Sequence, residues 1–187
     1  MTPRQITPAL ALAVSMEAAK FNMRIDGSAL DAILELWLRG VIRHAENFTQ
    51  RAFVEQSWRV SLDRFPDGVA ICLNRSPVIS VEFIKFYDSQ NYLQTLDPAD
   101  YLVDSESEPG FVMPGPGKAW PATYDRVNAV SVQFKCGYGP TGEATPEDIT
   151  LYILAKLAEQ FDPSAKPDKG TVQSSFIDGL LQHHRVY

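Results

Sequence analysis

Cysteine is scarce in this chain, with only Cys72 and Cys136 among 187 residues. Both fall in apolar, strand-like runs, so the expectation is two buried free thiols rather than a disulfide or a nucleophile. Long apolar runs are missing as well, and nothing approaches the roughly 18 to 20 residues that a membrane span requires. The opening Met1-Thr2-Pro3-Arg4-Gln5 lacks the basic stretch, apolar core and cleavage site of a secretory signal. Together these point to a protein made and used in a reducing cytoplasm. Positive charge is in deficit: 17 Lys and Arg face 23 Asp and Glu, a formal charge of −6. General nucleic-acid binding needs a basic face to displace counterions, and anionic membranes need one too, so both classes are disfavoured. An acidic surface is compatible with DNA passing by without sticking.

Histidine is equally sparse. His44 is far in sequence from His183 and His184, and two adjacent histidines on a helix point in different directions, which makes a poor metal pair. A solvent-exposed or interface position is the expectation for that pair. No metal site and no cofactor are expected.

What is present is enough apolar residue, 45%, to build a core, with 21% charged, as in a soluble globular protein. The length fits one domain, or one domain with a large insertion. Pro3 and Pro8 mark residues 1–14 as an extended arm. Ser15 caps a short helix over Met16 to Met23, with Glu17 in its first turn. After Asp26-Gly27, Ser28 is expected to cap a longer helix to about Thr49. Leu30, Ile33, Leu34, Trp37, Val41, Ala45 and Phe48 recur along it at helical spacing, with Asp31, Glu35, Arg39, Arg43 and Glu46 on the other side.

From Val54 the period changes to that of strands. Expected strands are Ser57–Asp63, Val69–Leu73, Val78–Tyr87, Tyr92–Leu96, Tyr101–Val103, Phe111–Met113 and Ala129–Cys136, with turns at Phe65–Gly68 and Asp88–Asn91. The stretch from Pro109 to Pro121 is rich in proline and glycine and reads as loop. Thr145, Pro146, Glu147 and Asp148 then open a helix through Ile149, Tyr152, Ile153, Leu154 and Leu157 to Phe161, apolar on most sides and expected at the centre of the core. Residues 162–169 are polar and proline-broken, and Ser174 to Tyr187 is a short candidate helix. The fold class is therefore α+β: a small helical scaffold, from the N-terminal helices and a core helix near the C-terminus, carrying an inserted antiparallel β-rich module at 54–136, with 171–187 as a C-terminal tail.

The chemical lookalikes fail on placement. Gly137-Tyr138-Gly139-Pro140-Thr141-Gly142 matches the dinucleotide-binding G-x-G-x-x-G pattern, but that motif must contain the start of its helix, and here the helix opens at Thr145-Pro146 with no parallel strand after it. Gly115-Pro116-Gly117-Lys118 lacks the first glycine and the final Ser or Thr of a phosphate loop. The run Asp104–Glu108 has no calcium-loop spacing and reads as a solvated loop. Trp58, Phe83, Phe86, Tyr87 and Phe134 read as core rather than as a base-stacking platform. The expectation is a protein that is not an enzyme.

Three stretches carry a resemblance. The first runs from Ser15 through Glu17-Ala18-Ala19-Lys20 to Arg24-Ile25-Asp26, and on to Phe48-Thr49-Gln50-Arg51. The second joins Pro77–Val81, Tyr87-Asp88, Leu96-Asp97-Pro98, Tyr101, Trp120-Pro121 and Val132–Gly139. The third is Thr145–Ile149 with the segment from Leu180-Leu181 to Arg185. In order and spacing the chain resembles the head–tail connector (portal adaptor) proteins of long-tailed bacteriophages, prophages and gene transfer agents. The resemblance implies a single connector domain over 1–187, working as a structural virion assembly protein made in the bacterial host cytoplasm. It implies a homo-oligomeric ring of about twelve copies beneath the portal protein at the head–tail junction. Such a ring extends the DNA channel, which DNA traverses without specific binding, and offers a docking surface to a stopper or tail protein. It further implies that Leu30, Ile33, Leu34, Trp37, Val41 and Phe48 belong to the ring scaffold helix. Phe176, Ile177, Leu180, Leu181, Arg185 and Tyr187 are implied to reach the portal. A tail-completion or stopper protein is the alternative within virion assembly, and a small-ligand or nucleotide binder using Gly137–Gly142 is the alternative outside it. On physical grounds a short terminal helix beyond a proline-broken linker needs a partner, either its own core or another chain, and the arm Thr2 to Leu12 poses the same choice.

Overall fold

The computed structural model describes residues 3–161 and 175–186, and these described residues form two antiparallel sheets and four α-helices. The chain divides into two compact units. Among the described residues, the helical unit takes 10–54, 138–161 and 175–186, and the β unit takes 3–9 and Glu55–Gly137.

In the β unit, strands β1 (Arg4–Thr7), β2 (Gln56–Leu62), β8 (Val130–Cys136), β4 (Val78–Tyr87) and β5 (Leu93–Thr95) form one sheet in that order. A smaller sheet has the order β3 (Ile71–Cys72), β7 (Phe111–Pro114), β6 (Tyr101–Asp104). The N-terminal arm resolves its choice of partner inside the chain: Arg4 pairs with Arg59 and Gln5 with Trp58. Alternation along the strands sets the faces. Trp58 pairs with Phe134, Val60 with Val132, and Val132 with Ile84, and all five side chains are buried. On the opposite face Arg59 donates to Gln133 Oε1 at 2.6 Å, and Gln133 Nε2 donates to Glu82 Oε2 at 2.8 Å. Of the expected core aromatics Trp58, Phe86 and Phe134 are buried, whereas Phe83 and Tyr87 are half-buried.

Turns in this unit follow from local side-chain capture. Asp88 Oδ1 accepts from the amides of Gln90 (2.9 Å) and Tyr92 (3.0 Å), and Oδ2 from Gln94 Nε2 (2.7 Å), closing the β4–β5 hairpin with Asn91 at φ 64°. In the proline-rich stretch, Trp120 stacks on Phe65 (centroids 4.8 Å apart, planes 7° apart) and donates to the Val69 carbonyl at 3.1 Å. Cys136 is buried as expected, but Cys72 is only half-buried, its Sγ 2.8 Å from Asn74 Oδ1.

The helical unit is built from α1 (Met16–Met23), α2 (Asp31–Thr49), α3 (Glu147–Phe161) and α4 (Ser175–Gly179). Ser15 Oγ accepts from the Ala18 amide at 3.1 Å, as its N-cap position requires. Ser28 does not cap α2: the helix opens at Asp31 behind Leu30, with no side-chain cap. The Ser28 carbonyl instead accepts from Asp31 N in a preceding turn. Leu34, Leu38, Ala45, Phe53, Ile149, Ile153, Leu157 and Leu181 are all at or below 1% exposure and make this unit's core. Burying each large apolar side chain contributes about 1.5–3 kcal/mol. Helix α3 is less central than its composition suggests, since Leu151 is 45% exposed. Glu46, which the helical period puts on the polar side of α2, is buried because its Oε1 accepts the Phe53 amide at 3.0 Å just beyond the helix end.

Candidate assembly surfaces

Helix α2 has an apolar sector wider than its packing needs. Of the scaffold residues, Leu34 (0%) and Val41 (7%) face the core, whereas Leu30 (44%), Ile33 (43%), Trp37 (41%) and Phe48 (40%) remain substantially exposed. Two more residues were missed from the pattern: Leu38, buried one turn after Leu34, and Leu36, 67% exposed. The i+4 spacing from Leu34 was the available signal for Leu38.

Beside Trp37 lies a groove of about 450 Å³ between α2, α3 and α4, lined by Gly40, Val41 and His44 on one wall and Tyr152, Lys156, Glu159, Gln160 and Asp178 on the other. Lys156 Nζ bridges Asp178 (2.8 Å) and Glu159 (3.1 Å), tying α4 to α3. Burial pushes the Lys156 ammonium down, but the bonds to Asp178 and Glu159 outweigh it and leave the group above its ordinary value. The groove's charges are thus engaged with one another. No group of three or more metal-ligating side chains occurs among the described residues.

The C-terminal segment is a five-residue helix followed by a turn and a 3₁₀ turn at Gln182–His184, shorter than the helix expected from Ser174. It is fastened to its own unit. Leu181 is 1% exposed. Arg51 Nε donates to the His184 carbonyl, and Val186 N donates to the Thr49 carbonyl at 3.0 Å. His184 Nε2 lies 2.6 Å from Asp148 Oδ2, so His184 is half-buried and paired rather than solvent-exposed; His183 is exposed. Among the residues implied to reach the portal, Phe176 is 63% exposed, Ile177 and Leu180 are half-buried, and Arg185 is exposed with its guanidinium 5.4 Å from the Phe48 ring centroid. Tyr187 lies outside the described residues.

At the last glycine of the Gly137–Gly142 stretch, the chain's own backbone fills the space on the Cβ side. A Cβ on Gly142 would fall 2.5 Å from the carbonyl oxygens of Leu12 and Ala13, and one on Gly139 would fall 2.7 Å from Ala144 Cβ. Helix α3 opens only at Glu147. Asp104, in the acidic run, is occupied locally: it accepts from the amide and hydroxyl of Ser107 and the amide of Glu106, and these bonds hold its carboxyl below its ordinary value. A second cavity, about 650 Å³, lies in the β unit between the Phe65–Gly68 turn and the Lys118–Thr123 loop. Its walls carry Arg64, Asp67 and Lys118 but no histidine, cysteine or carboxylate pair, and Lys118 is paired with Asp100 at 2.9 Å.

No protein-family profile matches the chain, and no curated protein sequence does. Solved structures do. A chain in the neck of the empty gene transfer agent (GTA) particle, computed with sixfold symmetry, superimposes with a TM-score of 0.83 at 19% identity, covering 100% of this chain and 96% of the other. A chain in the virion of the native GTA particle gives 0.81 at 19% identity with the same coverage. One in the native GTA neck, computed with twelvefold symmetry, gives 0.74 at 21% identity, again with the same coverage. The α+β fold of this chain, helical unit and β unit together, is therefore the fold of a chain found in the necks of GTA particles.

Proposed function

We propose that this protein is a structural, non-catalytic subunit of the neck of a phage-like particle. In this reading it is a head–tail connector that assembles as a homo-oligomeric ring at the head–tail junction, under the portal. The ring continues the DNA channel and presents a docking surface to a stopper or tail protein. The observation that carries the reading is the full-length match to GTA neck chains, with nearly all of both chains aligned. Rings are supported by the sixfold and twelvefold symmetry with which those necks were computed. A net charge of −6 suits a channel that DNA must traverse without being held. Apolar side chains left exposed on α2 supply surface for subunit contacts.

On the portal side, the C-terminal segment offers Phe176, since Leu181 is enclosed by its own unit and Arg185 lies over the Phe48 ring. The test is co-purification of the full chain with portal protein and, separately, with tail-tube protein from the same gene cluster, followed by electron microscopy of the portal complex. A ring seated on the portal supports the connector role. Binding to the tail tube alone makes the protein a stopper or tail-completion factor instead. Binding to neither overturns both.

A further inference from the structure

The N-terminal arm is held lightly at its outer end and firmly at its inner one. Strand β1 adds four residues to the edge of the five-stranded sheet, and its register on β2 is broken between Gln5 and Thr7. Arg4 lies directly opposite Arg59, a like-charge pairing that weakens a ladder. Gln5 ties the arm to β2 by donating to Gln56 Oε1. At the inner end, Ala13 and Val14 are each 3% exposed, and the Leu12 and Ala13 carbonyls pack against Gly142. From Pro8 to Ala11 the chain makes no backbone-to-backbone hydrogen bond among the described residues. Within that stretch Leu10 is 96% exposed, more than any other large apolar side chain among the described residues.

A weakly paired terminal strand behind a short, proline-bearing hinge is what exchange of an identical element between copies requires. Exchange forms the same β1–β2 pairs on a neighbour, so the arm gives up none of its strand contacts. The hinge must straighten, and its four residues then span up to about 14 Å. An exchanged hinge crosses from one copy to the next, which gives the Leu10 side chain a surface to bury against. Donor arm and acceptor edge are different surfaces, so the exchange runs head-to-tail, as a closed ring requires. Each copy then gives one arm and receives one. We infer that in the assembled ring β1 of each copy pairs with β2 of its neighbour. The inference rests on the ring reading above and adds the segment that links the copies.

Disulfide trapping tests this directly. Arg4→Cys and Arg59→Cys, opposite one another across the ladder, are made separately and together in full-length chains carrying Cys72→Ser, leaving only buried Cys136. Thr7→Cys with Ser57→Cys, also opposite one another, is a second pair should the first fail to fold by circular dichroism. Samples assembled with portal protein are oxidised and run on non-reducing denaturing gels. The double variant should give a ladder of linked chains, and an equimolar mixture of the two single variants should give linked dimer. Rings visible by electron microscopy, with only an internal bond in the double variant and no dimer in the mixture, overturn the inference and leave the ring reading standing. Dimers without rings mean a reciprocal twofold exchange and overturn the head-to-tail link. Chains that stay monomeric with the bond internal overturn both the exchange and self-assembly.

Discussion

His184 Nε2 sits 2.6 Å from Asp148 Oδ2, joining residues 36 positions apart and closing the C-terminal segment onto the first turn of α3. Burial raises the Asp148 carboxyl, but the hydrogen bond and charge of His184, with the amides of Ile149 and Asp148 itself, pull it below its ordinary value of 3.8. A carboxyl lowered in the folded state contributes stability that is present above 3.8 and is lost as pH falls through its folded value. Asp148→Asn should therefore cost less than about 1 kcal/mol near neutrality, because the group is partly solvated. The gap between variant and parent should close in acid. Urea midpoints from pH 6 down to pH 2.5 check this; a gap that widens in acid would reverse the sign argued here.

The same segment separates stability from binding residue by residue. Leu181→Ala removes a side chain that is 1% exposed and should cost about 2–5 kcal/mol in urea unfolding. Phe176→Ala, at 63% exposure, should shift stability by no more than about 0.5 kcal/mol. In the proposed connector, Phe176→Ala weakens portal co-purification while the melt stays unchanged. Deleting the whole segment is the poorer experiment, since it removes Leu181 and the partners of Arg51, Thr49 and Asp148 together.

How much of this was legible in the sequence depends on the range of the forces involved. Ser15 and the span Met16–Met23 could be read outright, because a cap and its helix are local. Strand β4 could be read from its β-branched and aromatic run. Leu30, Ile33, Trp37 and Phe48 share the spacing of Leu34 and Val41, and spacing cannot say which apolar residues their own chain will cover. Glu46 was misplaced on the polar side because its burial depends on the Phe53 amide seven residues on, a contact no helical period encodes. His184 and Arg51 belong to the same class, joined only by the return of the chain from 133 residues away. The pairing of the N-terminal arm with β2 was likewise open, as strand partners more than 50 residues apart leave no local trace.

In the β unit, Arg75 and Trp58 are each 5% exposed, with the guanidinium carbon 4.2 Å from the ring centroid. A planar guanidinium stacks on an indole in a way an ammonium cannot. Arg75→Lys should therefore destabilise the protein by about 1–2 kcal/mol despite conserving charge. Equilibrium unfolding followed by tryptophan emission reads the cost, and a circular dichroism curve should show the same midpoint. An unchanged midpoint would mean that the stack contributes nothing beyond the charge.

Two glycines give opposite expectations and together bear on the nucleotide reading of Gly137–Gly142. Gly40 is within α2 and has nothing within 4 Å of where a Cβ would stand. Gly40→Ala should raise stability by up to about 1 kcal/mol through helix propensity alone. Gly142→Ala puts its methyl 2.5 Å from the Leu12 and Ala13 carbonyl oxygens, which are backbone and cannot swing aside. Overpacking of that kind costs about 1–3 kcal/mol. The sequence pattern offers two reasons for a glycine at 142, approach of a phosphate or approach of the chain's own backbone, and the structure supplies the second. Nucleoside di- and triphosphates should then leave the melting temperature of the parent unchanged while Gly142→Ala lowers it. A nucleotide-dependent rise in the parent that is lost in Gly142→Ala would restore the ligand reading and count against a purely structural role.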